Sequence, residues 1–253
     1  MSDYNKWNTA ARGGYAGQTA AVDAGLRAYM LRVYNYMAAA VALTGVVAYA
    51  TFNAAVVTDA SGKITALTPF GQTIFSGPLS IVLLLGTLGL VFFISFRINR
   101  LQYTTAMTLF MLYAALLGVT LSSIFLAYTG ASITRVFFIS AASFGALSLY
   151  GYTTQRDLSP MGSFMIMGLF GIIIASLVNI FLKSSGLDWA ISVIGIGVFA
   201  GLTAWDTQRI KEMYDSMDDD GTMGRKAIMG ALSLYLDFIN LFLMLLRLVG
   251  DRR

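Results

Sequence analysis

The sequence predicts an all-α membrane protein that crosses the bilayer seven times. Of its 253 residues, 57% are hydrophobic and only 12% are charged, whereas a soluble domain carries about 25% charged residues. The apolar residues are also grouped into long blocks, and a membrane-spanning helix needs about 20 mainly apolar residues. Such a composition fits a surface that faces lipid rather than water.

The seven apolar blocks are the candidate spans. In chain order they are residues 33–56, 79–96, 103–127, 133–152, 162–182, 189–207 and 227–249. The longest loop, residues 58–78, contains two of the three prolines and a Ser61-Gly62 turn signal. We expect this loop to be ordered at the membrane surface.

The chain divides into a mobile cytoplasmic tail, residues 1–27, and one seven-helix transmembrane domain, residues 28–253. The tail contains a Gly13-Gly14 pair and lacks the large aliphatic side chains that a packed segment would bury. Most of the 17 Lys and Arg residues fall on the side of the tail and the even-numbered loops. The positive-inside rule therefore predicts a cytoplasmic N-terminus, although the basic end of the chain, residues 247–253, argues against placing the C-terminus outside.

The residue types exclude several classes of function. The sequence has no Cys and no His, so thiolate nucleophiles, thiolate metal sites and histidine bases are ruled out. The basic residues lie between apolar blocks instead of forming a stripe, which argues against nucleic acid as a partner. We expect no enzyme activity, no catalytic residues and no cofactor. An intramembrane aspartyl protease is a weaker alternative, because neither intramembrane aspartate follows a Tyr or a Gly-x-Gly.

Two acidic residues occupy apolar spans, Asp206 in the sixth and Asp237 in the seventh. An Asp at the centre of a membrane helix costs about 2.5–3.5 kcal/mol on insertion scales, so such residues usually face the protein interior. Each has polar neighbours at helical spacing on its own face. These neighbours are the candidates for an ion path: Thr203, Thr207, Ser233 and Asn240.

The sixth and seventh spans are antiparallel neighbours, so the carboxyl groups of Asp206 and Asp237 can approach each other. Two carboxyl groups in contact share a proton, because both cannot ionise cheaply in a low dielectric. A deprotonated pair repels itself and can bind a cation, which makes both residues candidate Ca²⁺ ligands and pH sensors. Arg97 ends the second span on the same side and could pair with either aspartate, and Arg100 lies close by. A structural reading remains open, in which Arg97 anchors its helix end and the aspartates fix helix register.

The residues around both aspartates resemble one known family. ALSLYLDFINLFLMLLRLVG (residues 231–250) and GLTAWDTQRIKEMY (residues 201–214) are similar to the Bax inhibitor-1 family, also called the transmembrane Bax inhibitor motif family. SFRINR, LYAALLGVTLSSIFLAYTGASITRVFF and GALSLYGYTTQRDLS resemble its bacterial branch. The resemblance covers residues 28–250.

This resemblance implies a seventh helix that is central within a ring of six, in the inner membrane of a prokaryotic cell. It also implies a pH-sensitive calcium leak, gated by an aspartate pair that maps to Asp206 and Asp237 and latched by an arginine that maps to Arg97. One departure is that residues 79–96 contain no acidic residue, whereas a bacterial relative of this type has one in its second span.

Two functions therefore remain. The first is a pH-sensitive calcium or other cation leak channel in the cell membrane, with Ca²⁺ or H⁺ as the mobile partner. The second, also implied by the resemblance, is a non-conducting regulator that binds a membrane-bound ATP-dependent protease or another membrane partner. The costly aspartates favour the first, and the Gly-rich tail favours the second.

Overall fold

A computed structural model describes residues 4–59 and 63–253, with side chains from Asp23 onward. The helices are α1 (Tyr4–Ala55), α2 (Pro69–Phe75), α3 (Pro78–Arg97), α4 (Tyr103–Leu121), α5 (Ile124–Ala127), α6 (Gly130–Thr153), α7 (Ser159–Leu182), α8 (Ser185–Glu212) and α9 (Asp220–Val249), with a 3₁₀ turn at Ile98–Arg100. Two short strands, β1 (Val56–Thr58) and β2 (Ile64–Leu67), lie between α1 and α2.

The prediction of seven spans is confirmed. Within the described residues, seven helices are long and apolar enough to cross a membrane. They are Asp23–Ala55 of α1, Pro78–Arg100, Tyr103–Ala127 (α4 with α5), and the whole of α6, α7, α8 and α9. Each overlaps one predicted apolar block, so hydropathy located every span.

The spans differ in how much of their surface faces outward. In α3 and α7 only 11% and 6% of the most apolar window is buried, whereas in α9 the figure is 67%. Large apolar side chains such as Phe96 and Phe181 are more than four-fifths exposed. In water such a surface would be an aggregation site, and in a bilayer it is the contact surface for lipid.

Helix α9 packs against α1, α4, α6 and α8. Helix α7 packs mainly on α8, and α3 on α4. These contacts explain why α9 is the most buried span. They do not establish the complete ring of six around it, which stays a prediction.

Glycine allows the closest helix approach. A Cβ atom on Gly151 of α6 would lie 2.1 Å from the carbonyl oxygen of Ala204 in α8. A Cβ atom on Gly162 of α7 would lie 2.2 Å from the indole ring of Trp205, also in α8. Small residues at such contacts let helix backbones approach closely in lipid. Both α6 and α7 are thus held tightly against the segment of α8 that carries Asp206.

The loop after α1 has regular structure. Strands β1 and β2 pair antiparallel, and α2 follows with the Thr68 side chain accepting a hydrogen bond from the Gly71 backbone N–H. The predicted Ser61-Gly62 turn lies outside the described residues. Most of the predicted tail, residues 1–27, lies where side chains are likewise not described. The mobility of the tail and the position of the domain boundary therefore stay predictions.

The chain end folds back on the turn before α6. The Thr129 N–H donates to the Asp251 carbonyl oxygen at 3.1 Å, and the Arg253 N–H donates to the Ala127 carbonyl oxygen at 3.0 Å. Arg135 forms an ion pair with Asp251 at 2.8 Å. The C-terminal residues are therefore fixed at the same end of the bundle as the start of α6.

Candidate functional site: an intramembrane carboxyl pair

Asp206 and Asp237 meet inside the helix bundle. Asp206 lies on α8 with 7% of its surface exposed, and Asp237 lies on α9 with 5% exposed. Their carboxyl groups are in side-chain hydrogen-bonding contact. The structure therefore brings together the two aspartates that the sequence placed on neighbouring antiparallel spans.

One oxygen of the carboxyl pair has no hydrogen-bond donor. Among the residues whose side chains are described, no group donates a hydrogen bond to the buried Asp237 Oδ2, whereas Asp206 Oδ1 is held by an ion pair with Arg209. An unsatisfied buried polar atom costs about 1–3 kcal/mol and is uncommon in native proteins. A pair built only to fix helix register would have little reason to retain this cost.

The arginine at this site is Arg209, which the sequence reasoning did not single out. Its Nη2 lies 3.0 Å from Asp206 Oδ1 and 3.4 Å from the Ser233 hydroxyl. The guanidinium also lies 4.8 Å from the centre of the Trp205 ring. Because Arg209 follows Asp206 by three residues on one helix, the two side chains share a face. That spacing was the signal in the sequence.

Arg97, predicted to partner the aspartates, does not do so. Within the described part of the chain, neither Arg97 nor Arg100 forms an ion pair. The physical reason is packing, since α3 packs on α2 and α4 rather than on the faces of α8 and α9 that carry the pair.

A cavity of about 560 Å³ lies between α7, α8 and α9 and contains the pair. Its charged lining residues are Asp206, Asp237 and Arg209. Two of the ion-path candidates, Ser233 and Asn240, also line it, while α7 contributes only uncharged side chains. Their role in an ion path stays a prediction. One shared proton on the two carboxyl groups would make these three ionisable groups electrically neutral together.

The two predicted threonines do not line this cavity. The Thr207 hydroxyl bonds to the Ser148 hydroxyl at 2.9 Å, and Ser148 bonds in turn to the Tyr34 hydroxyl at 2.7 Å. The Thr203 hydroxyl donates to the Phe199 carbonyl oxygen of its own helix at 2.8 Å. The predicted polar stripe on α8 therefore divides, with Asp206 facing the cavity and Thr207 facing α6 and α1.

The pair supplies few ligands for a metal ion. In the described part of the chain, no three acidic side chains are grouped as a metal site would require. Ca²⁺ takes 6–8 oxygen ligands, and two carboxyl groups supply at most four. The arrangement fits brief contact with a hydrated cation better than a resident ion.

The fold and the site together define a seven-helix membrane protein with a buried acidic pair on its last two spans. The family model described as "Inhibitor of apoptosis-promoting Bax1" matches residues 26–253. The chain belongs to this Bax inhibitor-1 family, as its motifs had indicated.

Several bacterial relatives extend over nearly the whole chain. An uncharacterized protein of Rickettsia prowazekii is 50% identical over 100% of both chains. The inner membrane protein YbhL of Escherichia coli is 48% identical over 91% of this chain and 94% of its own. An uncharacterized membrane protein of Streptococcus pyogenes is 35% identical over 90% of this chain and 94% of its own.

Proposed function

We propose that the protein is a pH-sensitive leak channel for calcium or related cations, gated by the Asp206–Asp237 pair. The observation that carries the proposal is the contact between two buried carboxyl groups in the wall of a cavity. A purely structural bundle has little use for two such acids, since each is costly to place in a membrane. We place the channel in the inner membrane, with the N-terminus in the cytoplasm.

The pH sensitivity follows from the charges around the pair. Arg209 on α8 is the charged group that faces the carboxyl groups, and the α7 and α9 residues of the cavity add no cation. With one proton shared, the charges balance and a hydrogen bond between the carboxyl groups holds α8 to α9. Loss of that proton leaves one excess negative charge, which separates the carboxyl groups and attracts a cation.

Calcium suits this site as a transported ion. The two carboxyl groups, the Ser233 hydroxyl and the Asn240 side chain offer oxygen ligands along the cavity. Because the site is too sparse to dehydrate Ca²⁺ fully, a bound ion can leave again, as conduction requires. The proposal includes no chemical reaction.

The test is calcium flux into dye-loaded proteoliposomes between pH 6 and 8. We expect the wild type to conduct in a pH-dependent way and both Asp206→Asn and Asp237→Asn to lose the pH response, because neither variant can share a proton between two acids. A wild type without flux above that of empty liposomes, while folded, would overturn the channel proposal. The regulator of a membrane-bound protease would then be the better hypothesis.

Two arginine variants test which basic side chain controls the gate. We expect Arg209→Gln to shift the pH response of the flux, because the balancing charge at Asp206 is gone. Arg97→Gln is the matched control and should leave the pH response unchanged, since Arg97 forms no ion pair in the described structure. The opposite result would restore Arg97 as the latch and remove Arg209 from the mechanism.

A further inference from the structure

A second polar cavity lies at the other end of α8, where α7 ends, α8 begins and α9 ends. Its volume is about 410 Å³. Asp188 and Asp206 are 18 residues apart on α8, so this cavity is about 27 Å from the carboxyl pair along the helix axis. It therefore belongs to the opposite membrane surface and is separate from the channel site.

The lining of this second cavity is cationic. Three basic residues, Lys183, Arg247 and Arg252, face one acid, Asp188. Arg247 lies 3.6 Å from Asp188. Within the described residues, Lys183 and Arg252 form no ion pair. Two positive charges thus remain without a protein counterion.

The backbone at Lys183 is a second unusual feature. Lys183 ends α7 in the left-handed conformation, with φ 50° and ψ 35°. Among the non-glycine residues in the described part of the chain, it alone has a positive φ. Glycine is the usual residue at such a helix end because a Cβ atom is strained there. A lysine at this position accepts that strain while placing its ammonium group beside the cavity.

The surroundings place this cavity at the level of lipid headgroups. Trp189 lines the cavity, and Phe181 and Leu182 directly precede its lining residue Lys183 in the chain. All three side chains are more than 60% exposed. Exposed apolar residues mark contact with acyl chains, and tryptophan is enriched at the membrane–water interface. A phosphate group of the surrounding lipid would therefore lie at the same depth as the unpaired cations.

We propose that this cavity binds the phosphate group of an anionic phospholipid headgroup. Lys183 and Arg252 supply the attraction, Arg247 is partly neutralised by Asp188, and the acyl chains lie against Phe181 and Trp189. Phosphate recognition by clustered Lys and Arg at a membrane surface follows general electrostatics. The proposal is independent of the channel function.

The test is native mass spectrometry of the full chain in neutral detergent, titrated with phosphatidylglycerol or phosphatidylcholine. Each cation near a membrane surface contributes about a fivefold factor in affinity for anionic lipid. We expect Lys183→Gln and Arg252→Gln each to weaken phosphatidylglycerol binding by about this factor. Phosphatidylcholine binding should not change.

Matched controls remove the same charges from the same end of the bundle. Lys63→Gln and Arg253→Gln lie outside the cavity and should leave phosphatidylglycerol binding unchanged. Equal losses in the controls and the cavity variants would overturn the site and indicate only a general effect of charge. Asp188→Asn should act in the opposite direction and tighten binding, because it removes the acid that opposes the phosphate.

Two further measurements separate lipid from free anion and binding from folding. If inorganic phosphate displaces phosphatidylglycerol at equal concentration, the cavity is a soluble-anion site and the lipid proposal fails. Lys183→Gly relieves the left-handed strain, so its thermal unfolding midpoint should not fall while phosphatidylglycerol binding weakens. Retention of full binding by this variant would contradict the role of the Lys183 ammonium.

Discussion

Two adjacent residues of α8, Asp206 and Thr207, face two polar clusters of opposite character. On the Thr207 side, the hydroxyl groups of Thr207, Ser148 and Tyr34 form an unbroken chain of hydrogen bonds. On the Asp206 side, the carboxyl pair borders a cavity, and the buried Asp237 Oδ2 accepts no hydrogen bond within the described structure. Asp206 Oδ1 is held by the ion pair with Arg209. The same helix turn therefore borders one fully hydrogen-bonded cluster and one cluster that is only partly satisfied.

The two clusters differ in how completely their polar atoms are hydrogen-bonded. A satisfied buried network stabilises one packing arrangement and gains nothing from rearranging. An unsatisfied pair gains partners when its proton, a cation or water arrives. Polarity within a span was visible in the sequence for both clusters, but the state of their hydrogen bonds was not.

The largest expected effect on stability comes from a substitution that pushes α6 away from α8 on the Thr207 side. In Gly151→Ala the new Cβ atom would overlap the Ala204 carbonyl oxygen, 2.1 Å away, so α6 must move away from α8. We expect a loss of about 3 kcal/mol in stability, measured by thermal unfolding in detergent. Gly145→Ala is the control on the same helix, because its Cβ atom meets nothing within 4 Å. Equal stability of the two variants would refute close packing of α6 on α8.

A smaller effect is expected from Thr207→Val, which removes the hydroxyl and keeps the shape. Loss of the bond to Ser148 should cost about 1 kcal/mol of stability, while the pH response of calcium flux stays that of the wild type. Thr108→Val, on the exposed part of α4, is the control because its hydroxyl bonds only within its own helix. A changed pH response in Thr207→Val would mean that the two faces of α8 are coupled.

The smallest effect concerns a third carboxylate, Asp219, which caps α9 in water. Its oxygens accept hydrogen bonds from the Thr222 side chain and from the backbone N–H groups of Thr222 and Gly221. The Thr222 hydroxyl is the main cause that lowers the pKa of Asp219 below its usual value.

Because the folded pKa lies below the unfolded value of about 3.9, the stabilisation by Asp219 is complete above that value. It is lost as the pH falls through the folded pKa. We expect Asp219→Ala to lower the unfolding midpoint slightly at pH 7 and the difference to disappear in acid. Asp219→Asn retains a capping oxygen, so its unfolding midpoint at pH 7 should lie between those of the wild type and Asp219→Ala. A difference that persisted at pH 2 would show that the ionised cap is not its source.

The sequence predicted the part of the molecule that hydropathy and helix periodicity control. All seven spans follow from the apolar blocks, whereas the antiparallel order of the sixth and seventh spans permitted a contact between Asp206 and Asp237 without requiring it. The β1–β2 hairpin was missed because its strands have only three and four residues. Ile64–Leu67, with the sequence ITAL, does not show the apolar–polar alternation over four to eight residues that marks a strand.

Finer geometry than the sequence shows decided which arginine pairs with Asp206 and which neighbouring helix Thr207 faces. The three-residue spacing between Asp206 and Arg209 was readable, but the choice among several arginines depended on which helices touch. Residues 206 and 207 point about 100° apart on a helix with 3.6 residues per turn. Only the packing of α6 against one side and α7 against the other determined which residue would meet a cavity.

The burial of α9 also bears on how the protein is made. Translation proceeds from the N-terminus, so α9, the span with the largest buried share, leaves the ribosome after the other six spans. Until it arrives, α1, α4, α6 and α8 lack the surface on which they pack, and Asp206 has no partner carboxyl group. The acidic pair therefore forms only once the seventh span has joined the other six, and a nascent chain that stops before Asp237 lacks one of the two carboxyl groups.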